Sequence, residues 1–443
     1  MRVERRGRVT PLDMRVNQEW EEPLEKTKPF CISKKLVHEA YLRVKANKGA
    51  AGVDEESIED FEKDWKNNLY RIWNRMSSGT YFPPPVRTVS IPKDNGGIRK
   101  LGIPTVSDRV AQTVAKMVLE PHVEPKFHAD SYGYRPGKSA LDAVSTARQR
   151  CWKYNWVIDL DVEAFFDSMS HDLVMKAVRH HIDEKWVVLY VERWLKGPVE
   201  QADGTRVNRD RGTPQGGVVS PVLSNIFLHH VFDDWMARRF PRVPFERYAD
   251  DALVHCSSFE QAKQVLEAIR QRFDECGLRL HPDKTRIVYC KDVDRKGSHE
   301  HERFDFLGFT FRPRLSKNKW GKHFVNFSPA IRDKAAKKIR REIRSWRIHL
   351  RSDKSLTDLA RMFNAQVQGW INYYGRFYKS AMYPSLRNIE RFLVRWAMRK
   401  YKRLRRHKTR ATYWLGRIAR REPKLFAHWR LGLKSPVGVM GAG

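Results

Sequence analysis

Two groups of aspartates interrupt apolar, strand-like segments of this chain. The first lies in WVIDLDVEAFFD (156–167) and the second in RYADDALV (247–254). An ionised carboxylate among strand-core residues costs free energy unless it is paired or bound to a metal. Asp250 and Asp251 also repel each other, so at least one of them needs a cation or a proton. The fold must therefore bring positive charge to these carboxylates.

Strand geometry restricts where the carboxylates can point. Successive side chains of a strand face opposite sides, whereas two neighbours at a hairpin tip can approach one site. We therefore place Asp250 and Asp251 at a hairpin tip. Alternation leaves the choice in the first segment open, because several of its acidic residues share a face. The candidates there are Asp159, Asp161, Glu163 and Asp167.

Carboxylates placed in this way suit a pair of magnesium ions. Two from one strand tip and one from another supply the oxygen ligands that Mg²⁺ prefers, and no His or Cys is required. Such a pair of ions can activate an attacking 3′-hydroxyl and neutralise a leaving pyrophosphate. For an isolated YADD the simpler interpretation is a turn or a helix cap, but two strand-embedded groups favour the metal site.

The distribution of charge separates the chain into two parts. The formal net charge is +33. Residues 311–443 hold 35 Lys and Arg against 6 Asp and Glu, whereas residues 1–310 are nearly neutral. A dense cation attracts polyphosphate chains, and the interleaved aromatic residues are typical of surfaces that stack on bases. The alternative is a generic, solvated basic surface.

The cysteines and the N-terminal region indicate in which cellular compartment the protein is expected. Five scattered cysteines form no CxxC pair, which favours reduced thiols and argues against a zinc module. No run of about 18 apolar residues occurs, so no membrane span is predicted. The charged start lacks the apolar core of a secretory signal. We therefore expect a cytoplasmic protein.

Periodicity predicts an α/β body followed by a basic helical region of about 100 residues. In the body, VRTVSIP and IRKLGIP form a hairpin about DNGG. A helix over 106–120 ends at Pro121, and RFDFLGFTF forms one strand. From 328 the pattern is helical, with Ser328 as N-cap and Pro329 as the first residue. Three apolar stripes follow: Ile331, Ala335, Ile339, Ile343, Trp346 and Leu350; Leu356, Leu359, Phe363, Val367, Trp370 and Tyr374; and Leu386, Ile389, Leu393 and Trp396.

Ordered blocks of sequence run along nearly the whole chain. They are NKGAAGVD (47–54), SIPKDNGGIRKLGIPTVSDRVAQ (90–112), SYGYRPGKSALDAV (131–144), IDLDVEAFFDSMSH (158–171), GTPQGGVVSPVLSNIFL (212–228), YADD (248–251), GLRLHPDKT (277–285), FLGF (306–309) and GWINYYG (369–375). With these blocks the chain resembles bacterial group II intron-encoded reverse transcriptase/maturases. It resembles the short type, which lacks the HNH endonuclease domain.

The resemblance assigns roles that spacing leaves open. It implies that Asp161, Asp250 and Asp251 are the catalytic residues and bind two Mg²⁺ ions. Phe165 corresponds to the bulky residue that excludes a ribose 2′-hydroxyl and so selects dNTPs. The alternative interpretation is that Phe165 is an ordinary residue of the hydrophobic core. The other residues implied to contact the nucleotide are Lys93, Arg99, Gln215 and Lys284.

Contacts with RNA are predicted in two places. In the GYRP block, the prediction is that four residues bind the template backbone or shape the junction of fingers and palm, and the alternative is a purely structural role: Gly133, Tyr134, Arg135 and Pro136. The face opposite the first apolar stripe is basic and is predicted to bind RNA; its members are Lys337, Lys338, Arg340, Arg341 and Arg344.

The implied fold is α+β, a right-hand polymerase with fingers, an antiparallel-sheet palm and an all-α basic thumb. We expect an N-terminal extension over 1–33, fingers over 34–155 and the palm over 156–312. The thumb, which is also the maturase domain, spans 313–405, and a basic C-terminal segment spans 406–443.

The implied function is an RNA-directed DNA polymerase that copies intron RNA into cDNA and also binds that RNA to promote splicing and retromobility. The partners are intron RNA, a DNA primer or target, and dNTPs, in a bacterial cytoplasm with association to the nucleoid or the ribonucleoprotein; the oligomeric state is open. Two alternatives remain: a domesticated reverse transcriptase in phage defence or DNA repair, and a splicing cofactor with a vestigial polymerase.

Overall fold

The computed structural model describes residues 28–92, 97–318 and 320–436. Contacts divide the chain into two units, each made of several stretches. The domains predicted from the sequence (fingers, palm and thumb) are continuous stretches of chain and do not correspond to these units, so their boundaries stay predictions. Unit 1 comprises Met1–Ser139, Leu160–Ala252 and Gln264–Thr285, and unit 2 comprises Ala140–Asp159, Leu253–Lys263 and Arg286–Gly443.

Helices make up most of the described chain, and none of those described is long and apolar enough to cross a membrane. A π-helical turn, His229–Asp233, joins α9 to α10. The α-helices are α1 (Lys34–Asn47), α2 (Ile58–Lys63), α3 (Trp65–Ser77), α4 (Val106–Val123), α5 (Ala140–Lys153), α6 (Phe165–Ser168), α7 (His171–His181), α8 (Lys185–Lys196), α9 (Ser220–Leu228), α10 (Asp234–Arg239), α11 (Phe259–Glu275), α12 (Asp333–Ser345), α13 (Leu356–Tyr374), α14 (Tyr383–Lys400) and α15 (Lys408–Arg421).

The strands are short, and their pairing is mostly antiparallel. They are β1 (Val86–Pro92), β2 (Ile98–Ile103), β3 (Trp156–Leu160), β4 (Val199–Glu200), β5 (Arg206–Val207), β6 (Phe245–Tyr248), β7 (Asp251–Cys256), β8 (Arg286–Tyr289), β9 (Phe304–Phe306), β10 (Phe309–Lys317) and β11 (His323–Ile331). Unit 1 contains a sheet of order β2-β1-β4-β5 and the β6 side of the YADD hairpin. Unit 2 contains the order β7-β3-β8 and a separate sheet of order β11-β10-β9.

The predicted hairpin around DNGG is confirmed. Strands β1 and β2 pair antiparallel from Arg87 opposite Ile103 to Pro92 opposite Ile98. The turn residues 93–96, including Lys93, lie outside the described residues. The hairpin therefore places Arg99 near its turn, on an exposed part of β2.

The prediction that a helix ends at Pro121 is wrong, because α4 continues to Val123. Proline lacks only its own N–H, so near a C-terminus it removes a single backbone hydrogen bond. The Thr105 side chain caps the start of α4 by accepting a hydrogen bond from the Asp108 N–H, 3.1 Å away. Its buried face is the largest in unit 1 and includes the polar Asp108 and Gln112.

Two predictions about the start of the helical region are also wrong. Ser328 and Pro329 lie in β11, opposite Arg312 and Phe311 of β10, and the first helix begins only at Asp333. RFDFLGFTF forms two antiparallel strands, β9 and β10, about a turn at Leu307. Long-range pairing buries Phe309, Phe311 and Phe327 completely, which outweighs the local N-cap signal of Ser-Pro.

The second and third apolar stripes are confirmed. Buried residues of α13 and α14 form one core with those of α12 and α15. Trp346 stacks on Phe363 and Trp370, with ring centroids 4.3 Å and 5.5 Å apart. Such aromatic pairs stabilise a core by about 0.5–1.5 kcal/mol each beyond area burial. Tyr374 packs against Phe309, as expected for a residue on the apolar stripe.

Candidate active site

Asp161 directly follows β3, where the strand leaves its sheet. Its backbone N–H donates to the Thr285 hydroxyl at 3.3 Å, and its carbonyl accepts from the His281 N–H at 2.8 Å. The HPDKT segment therefore fixes the backbone of Asp161. Lys284 of the same segment places its ammonium Nζ 3.0 Å from Asp161 Oδ1.

The YADD sequence forms the tight turn between β6 and β7. Ala249 adopts φ = +58°, the left-handed region that non-glycine residues rarely enter. Gly133 lies directly against this turn: a Cβ on Gly133 would sit 2.3 Å from the Ala249 nitrogen. A residue with a side chain at 133 would displace the turn that carries Asp250 and Asp251.

A buried arginine supports the turn from the interior, and sequence reasoning missed it. Arg247 is 1% exposed and forms a two-pronged ion pair with Asp233, at 2.7 Å and 2.5 Å. Its Nη1 donates to the Ala249 carbonyl and to Asn225 Oδ1, both at 3.0 Å. Asn225 in turn donates to the Gly133 carbonyl at 2.7 Å. The signal in the sequence was a lone cation in the apolar strand before YADD.

The electrostatics link Asp250 to Asp161. Burial raises the pKa of Asp250, and the negative charge of Asp161 raises it further, while Arg99 and Arg247 oppose the rise. The charge of Asp161 thus disfavours ionisation of Asp250, and a cation between the two carboxylates would relieve the repulsion. The structure therefore brings these two predicted residues together.

The donor set suits a hard divalent cation. Asp250 is half-buried and Asp251 is exposed, so both can present oxygen atoms to solvent. Within the described ranges, no three His, Cys, Asp or Glu side chains converge closely enough to form a finished metal site. In this structure the Lys284 ammonium provides the counter-charge to Asp161. Carboxylate oxygens are nevertheless the ligands that Mg²⁺ prefers.

Arg99 and Gln215, both predicted to contact the nucleotide, lie in direct contact. Arg99 Nε donates to Gln215 Oε1 at 2.7 Å. The Gly102 N–H donates to the Gln215 carbonyl at 2.7 Å, so the PQGG loop lies against β2. A Cβ on Gly216 would sit 2.4 Å from the Gly102 carbonyl oxygen, which is why glycine is needed there.

The PQGG loop has a second support that the sequence did not reveal. Gln112 Oε1 accepts from the Val218 N–H at 2.7 Å, and Gln112 Nε2 donates to Asp108 at 2.9 Å. Asp108 also accepts from the Trp194 indole at 2.8 Å and the Tyr81 hydroxyl at 2.9 Å. Burial raises the pKa of Asp108, and these three hydrogen bonds oppose the rise. The network orients Gln112 toward the loop.

Phe165 lies at the start of α6, after Ala164 in a left-handed conformation. It is 2% exposed and packs on Phe166 and Phe227, with ring centroids 5.4 Å and 6.2 Å apart. Its contacts are those of a core residue, and its role in selecting dNTPs stays a prediction.

Tyr134 is one of the GYRP residues predicted to bind the template backbone or to shape the junction of fingers and palm, and that role stays a prediction. Burial raises the pKa of its hydroxyl, and the charge of Asp250 raises it further, while Arg99 lowers it. The Tyr134 side chain therefore lies close enough to Asp250 and Arg99, two predicted site residues, to be affected by their charges.

Arg135, predicted to bind the template backbone, makes its contacts within the protein in this structure. Its side chain is buried and pairs with Glu124 at 2.8 Å. It also donates to the carbonyls of His128 and Ser131 and lies over the Phe127 ring. These contacts support a structural role for Arg135, and its contact with the template stays a prediction.

The basic face of α12, in unit 2, is solvent-accessible. Arg340 is the exception, because it is half-buried and donates to the Ser385 hydroxyl at 3.2 Å. On the opposite side Ala336, Ile339 and Ile343 are buried. The exposed members of the predicted RNA-binding set are Lys337, Lys338, Arg341 and Arg344.

Family models match both parts of the chain. One described as "Reverse transcriptase (RNA-dependent DNA polymerase)" matches residues 91–311, the range that contains all three aspartates. A second, "Group II intron, maturase-specific domain", matches residues 336–414, which include the whole basic face of α12. The fold and the site thus define a reverse transcriptase of mixed α/β architecture.

Similarity to curated relatives identifies the family within the class of reverse transcriptases. Protein YkfC of Escherichia coli (strain K12) is 33% identical over 294 residues, which cover 56% of this chain and 75% of YkfC. The group II intron-encoded protein LtrA of Lactococcus lactis subsp. cremoris is 30% identical over 206 residues, 46% of this chain and 34% of LtrA. The chain belongs to the family of group II intron reverse transcriptases and maturases, as its sequence blocks predicted.

Other similarities are more distant. The putative COX1/OXI3 intron 1 protein of Saccharomyces cerevisiae is 31% identical over 199 residues, 44% of this chain and 23% of that protein. The matches to LtrA and to this yeast protein thus span about a third or less of those relatives. A solved telomerase chain from Candida albicans superposes with a TM-score of 0.45 at 12% identity, over 85% of this chain and 68% of that one.

Proposed function

We propose that this chain copies RNA into DNA with Asp161, Asp250 and Asp251 as the ligands of two Mg²⁺ ions, and that it promotes splicing of its intron RNA. The observation that supports the polymerase site most directly is the electrostatic coupling of Asp250 to Asp161 across the YADD turn. Two ions bound there would activate the primer 3′-hydroxyl as a nucleophile and neutralise the leaving pyrophosphate.

The chain's own residues would bind and orient the nucleotide. Arg99 presents a cation beside the site, and its hydrogen bond fixes the Gln215 amide in one orientation. Lys93 on the same hairpin would add a second cation for the triphosphate. Lys284 would exchange its ion pair with Asp161 for a contact with the incoming phosphates. Phe165 would limit the space for a ribose 2′-hydroxyl.

The proposal is tested by DNA synthesis with the full chain on poly(rA)/oligo(dT), dTTP and Mg²⁺. We expect Asp250→Asn to abolish synthesis, because it removes one ligand charge at the centre of the site. Asp210→Asn is the matched control, since Asp210 is 89% exposed and outside the site. Synthesis that persists in Asp250→Asn would refute the assignment.

The splicing role is separable from polymerisation. The maturase-specific match, the exposed cations of α12 and the charge of residues 311–443 support it. Splicing of the RNA that encodes the chain, measured with Asp250→Asn, should proceed at the unsubstituted rate. Loss of splicing in that variant would tie both activities to one site and contradict the proposal.

A further inference from the structure

A groove in unit 2 combines aromatic faces with positive charge. Its volume is about 540 Å³, within the usual range of small-ligand sites. Helix α5, the β10-β11 hairpin and the segment after α13 contribute its walls. The residues of the groove that carry the argument are Arg148, Trp152, Lys317, His323 and Tyr378.

Trp152 offers a fixed aromatic face. Its indole N–H donates to the Phe327 carbonyl at 2.9 Å, yet the side chain is 43% exposed. The Arg148 guanidinium lies 4.4 Å from the centre of the Trp152 ring and 5.8 Å from that of Phe377. Arg148 Nε is buried and has no hydrogen-bond partner in the described parts of the chain. The Trp152 ring is thus held at its edge by a hydrogen bond and packed by Arg148, and its exposed part can stack on a base.

Tyr378 supplies a second anchored ring. Its hydroxyl donates to the Leu315 carbonyl at 3.0 Å, and the Arg314 guanidinium lies 5.5 Å from the ring centre. Lys317 and His323 face each other across the β10-β11 ladder and line the same groove. Within the described ranges the lining contains no acidic side chain. The groove therefore offers planar surfaces for bases and cations for phosphates.

The aromatic and basic surface of the groove continues to the tip of the β10-β11 hairpin. Trp320 is 79% exposed, and the neighbouring Lys322 is exposed as well. Trp320 and Lys322 thus add an aromatic ring and a cation at the end of the hairpin, both accessible to a nucleic acid. Bases stack on aromatic rings and on guanidinium planes, and RNA is recognised mainly through unpaired bases.

We infer that this groove binds unpaired nucleotides of single-stranded RNA, with one base stacked on Trp152 and the adjacent phosphates on Lys317 and His323. The hydroxyls of Ser316 and Ser380 lie in the same lining, where a ribose 2′-hydroxyl can donate or accept. This site goes beyond the proposed polymerase and rests only on contacts within unit 2.

Photo-crosslinking with the full chain tests the inference. The probe is a single-stranded RNA of about 12 nucleotides that contains 4-thiouridine, and adducts are located by mass spectrometry. We expect an adduct on the peptides that carry Trp152 or Tyr378, and equal yield in Asp250→Asn. Absence of adducts from both peptides would overturn the inference, whatever the polymerase assay shows.

Two substitutions of Trp152 separate stacking from folding. Both Trp152→Phe and Trp152→Leu lose the hydrogen bond to Phe327, but only Phe keeps an aromatic face. Leu should lower the groove adduct about fivefold or more relative to Phe, the low end of a base–aromatic stack. Equal yields would overturn the stacking role, and equal competition by DNA of the same sequence would overturn the assignment to RNA.

Discussion

Arg247 contacts the catalytic turn from the interior of unit 1. Its guanidinium donates to Asp233, Ser131 and the Ala249 carbonyl, so the turn depends on a group that never meets solvent. Removal of one partner of a buried ion pair leaves the other charge without compensation. The position of Asp250 and Asp251 is thus coupled to the stability of the core.

Replacing Arg247 by Met should lower the free energy of unfolding by about 3–5 kcal/mol, because Asp233 keeps a buried charge with no partner. Urea unfolding measures the loss. The double variant Arg247→Met/Asp233→Asn should recover part of it, since no charge then remains. A loss below about 1 kcal/mol in the single variant would show that the ion pair does not support the turn.

Some residues of the site could be predicted from the sequence, and others could not. Asp250 and Asp251 could be proposed because charged residues in apolar strands need a partner. Asp161 was selected from four acidic residues only by the family resemblance. Gln112 and Arg247 could not be assigned, because their partners lie far away in sequence and only the fold brings them close. The partners of Arg135, Glu124 and the carbonyls of His128 and Ser131, could not be predicted for the same reason.

At the scale of elements, the basic face of α12 is the clearest candidate for RNA binding outside the polymerase site. Its four exposed cations lie on the side opposite the buried core residues. Arg340 is excluded from this set because it contacts Ser385. Charge on this face can be removed without disturbing the core.

Replacing Lys337, Lys338, Arg341 and Arg344 together by Ala should weaken binding of intron RNA. The slope of log affinity against log salt should become shallower by about 0.7 for each phosphate that the protein no longer neutralises. Filter binding over a range of salt concentrations gives the slope. Lys66→Ala/Arg71→Ala on α3 provides exposed-cation controls, and an unchanged slope in the α12 variant would contradict the assignment.

Helix α7 and the π-helical turn form a histidine cluster with a pH-dependent contribution to stability. His181 Nε2 lies 2.8 Å from His230 Nε2, so one ring must donate and the other accept. Burial lowers the pKa of both to about 4, and neighbouring histidines add to the effect. The neutral rings therefore stabilise the fold above the unfolded pKa of 6.5, and this stability is lost as pH falls toward 4.

The free energy of unfolding should fall between pH 6.5 and about 4 by on the order of 1–2 kcal/mol for each imidazole, after allowance for solvent screening. Urea titrations across this window measure it. His230→Gln, which cannot take up a proton, should flatten the dependence. An equally steep fall in that variant would assign the effect to other groups.

Element types were mostly predictable, and boundaries failed where tertiary contacts intervened. Helices α12, α13 and α14 followed from periodicity, because each buries one face, whereas α5 and α15 were not predicted. Ser328-Pro329 carried a good local N-cap signal, but pairing of β11 with β10 buries Phe327 and extends the strand to Ile331. Local propensity is a weak prior against a long antiparallel ladder.

At the scale of the whole molecule, acidic and basic residues are distributed unequally along the chain. Residues 1–310 are nearly neutral and contain the carboxylates, whereas residues 311–443 carry most of the positive charge. The sequence predicted this division and the reverse transcriptase class. It could not predict the discontinuous units, since a chain that leaves one unit and returns gives no compositional signal.

The central claim is that Asp161 and the YADD turn bind the same metal ions. Iron-mediated cleavage tests it directly: Fe²⁺ in place of Mg²⁺ generates hydroxyl radicals that cut the backbone beside the bound ion. We predict two sets of fragments, ending near Asp161 and near Asp250, which excess Mg²⁺ and Asp250→Asn both suppress. Cleavage at only one of these places, or cleavage that persists in Asp250→Asn, would contradict the shared site.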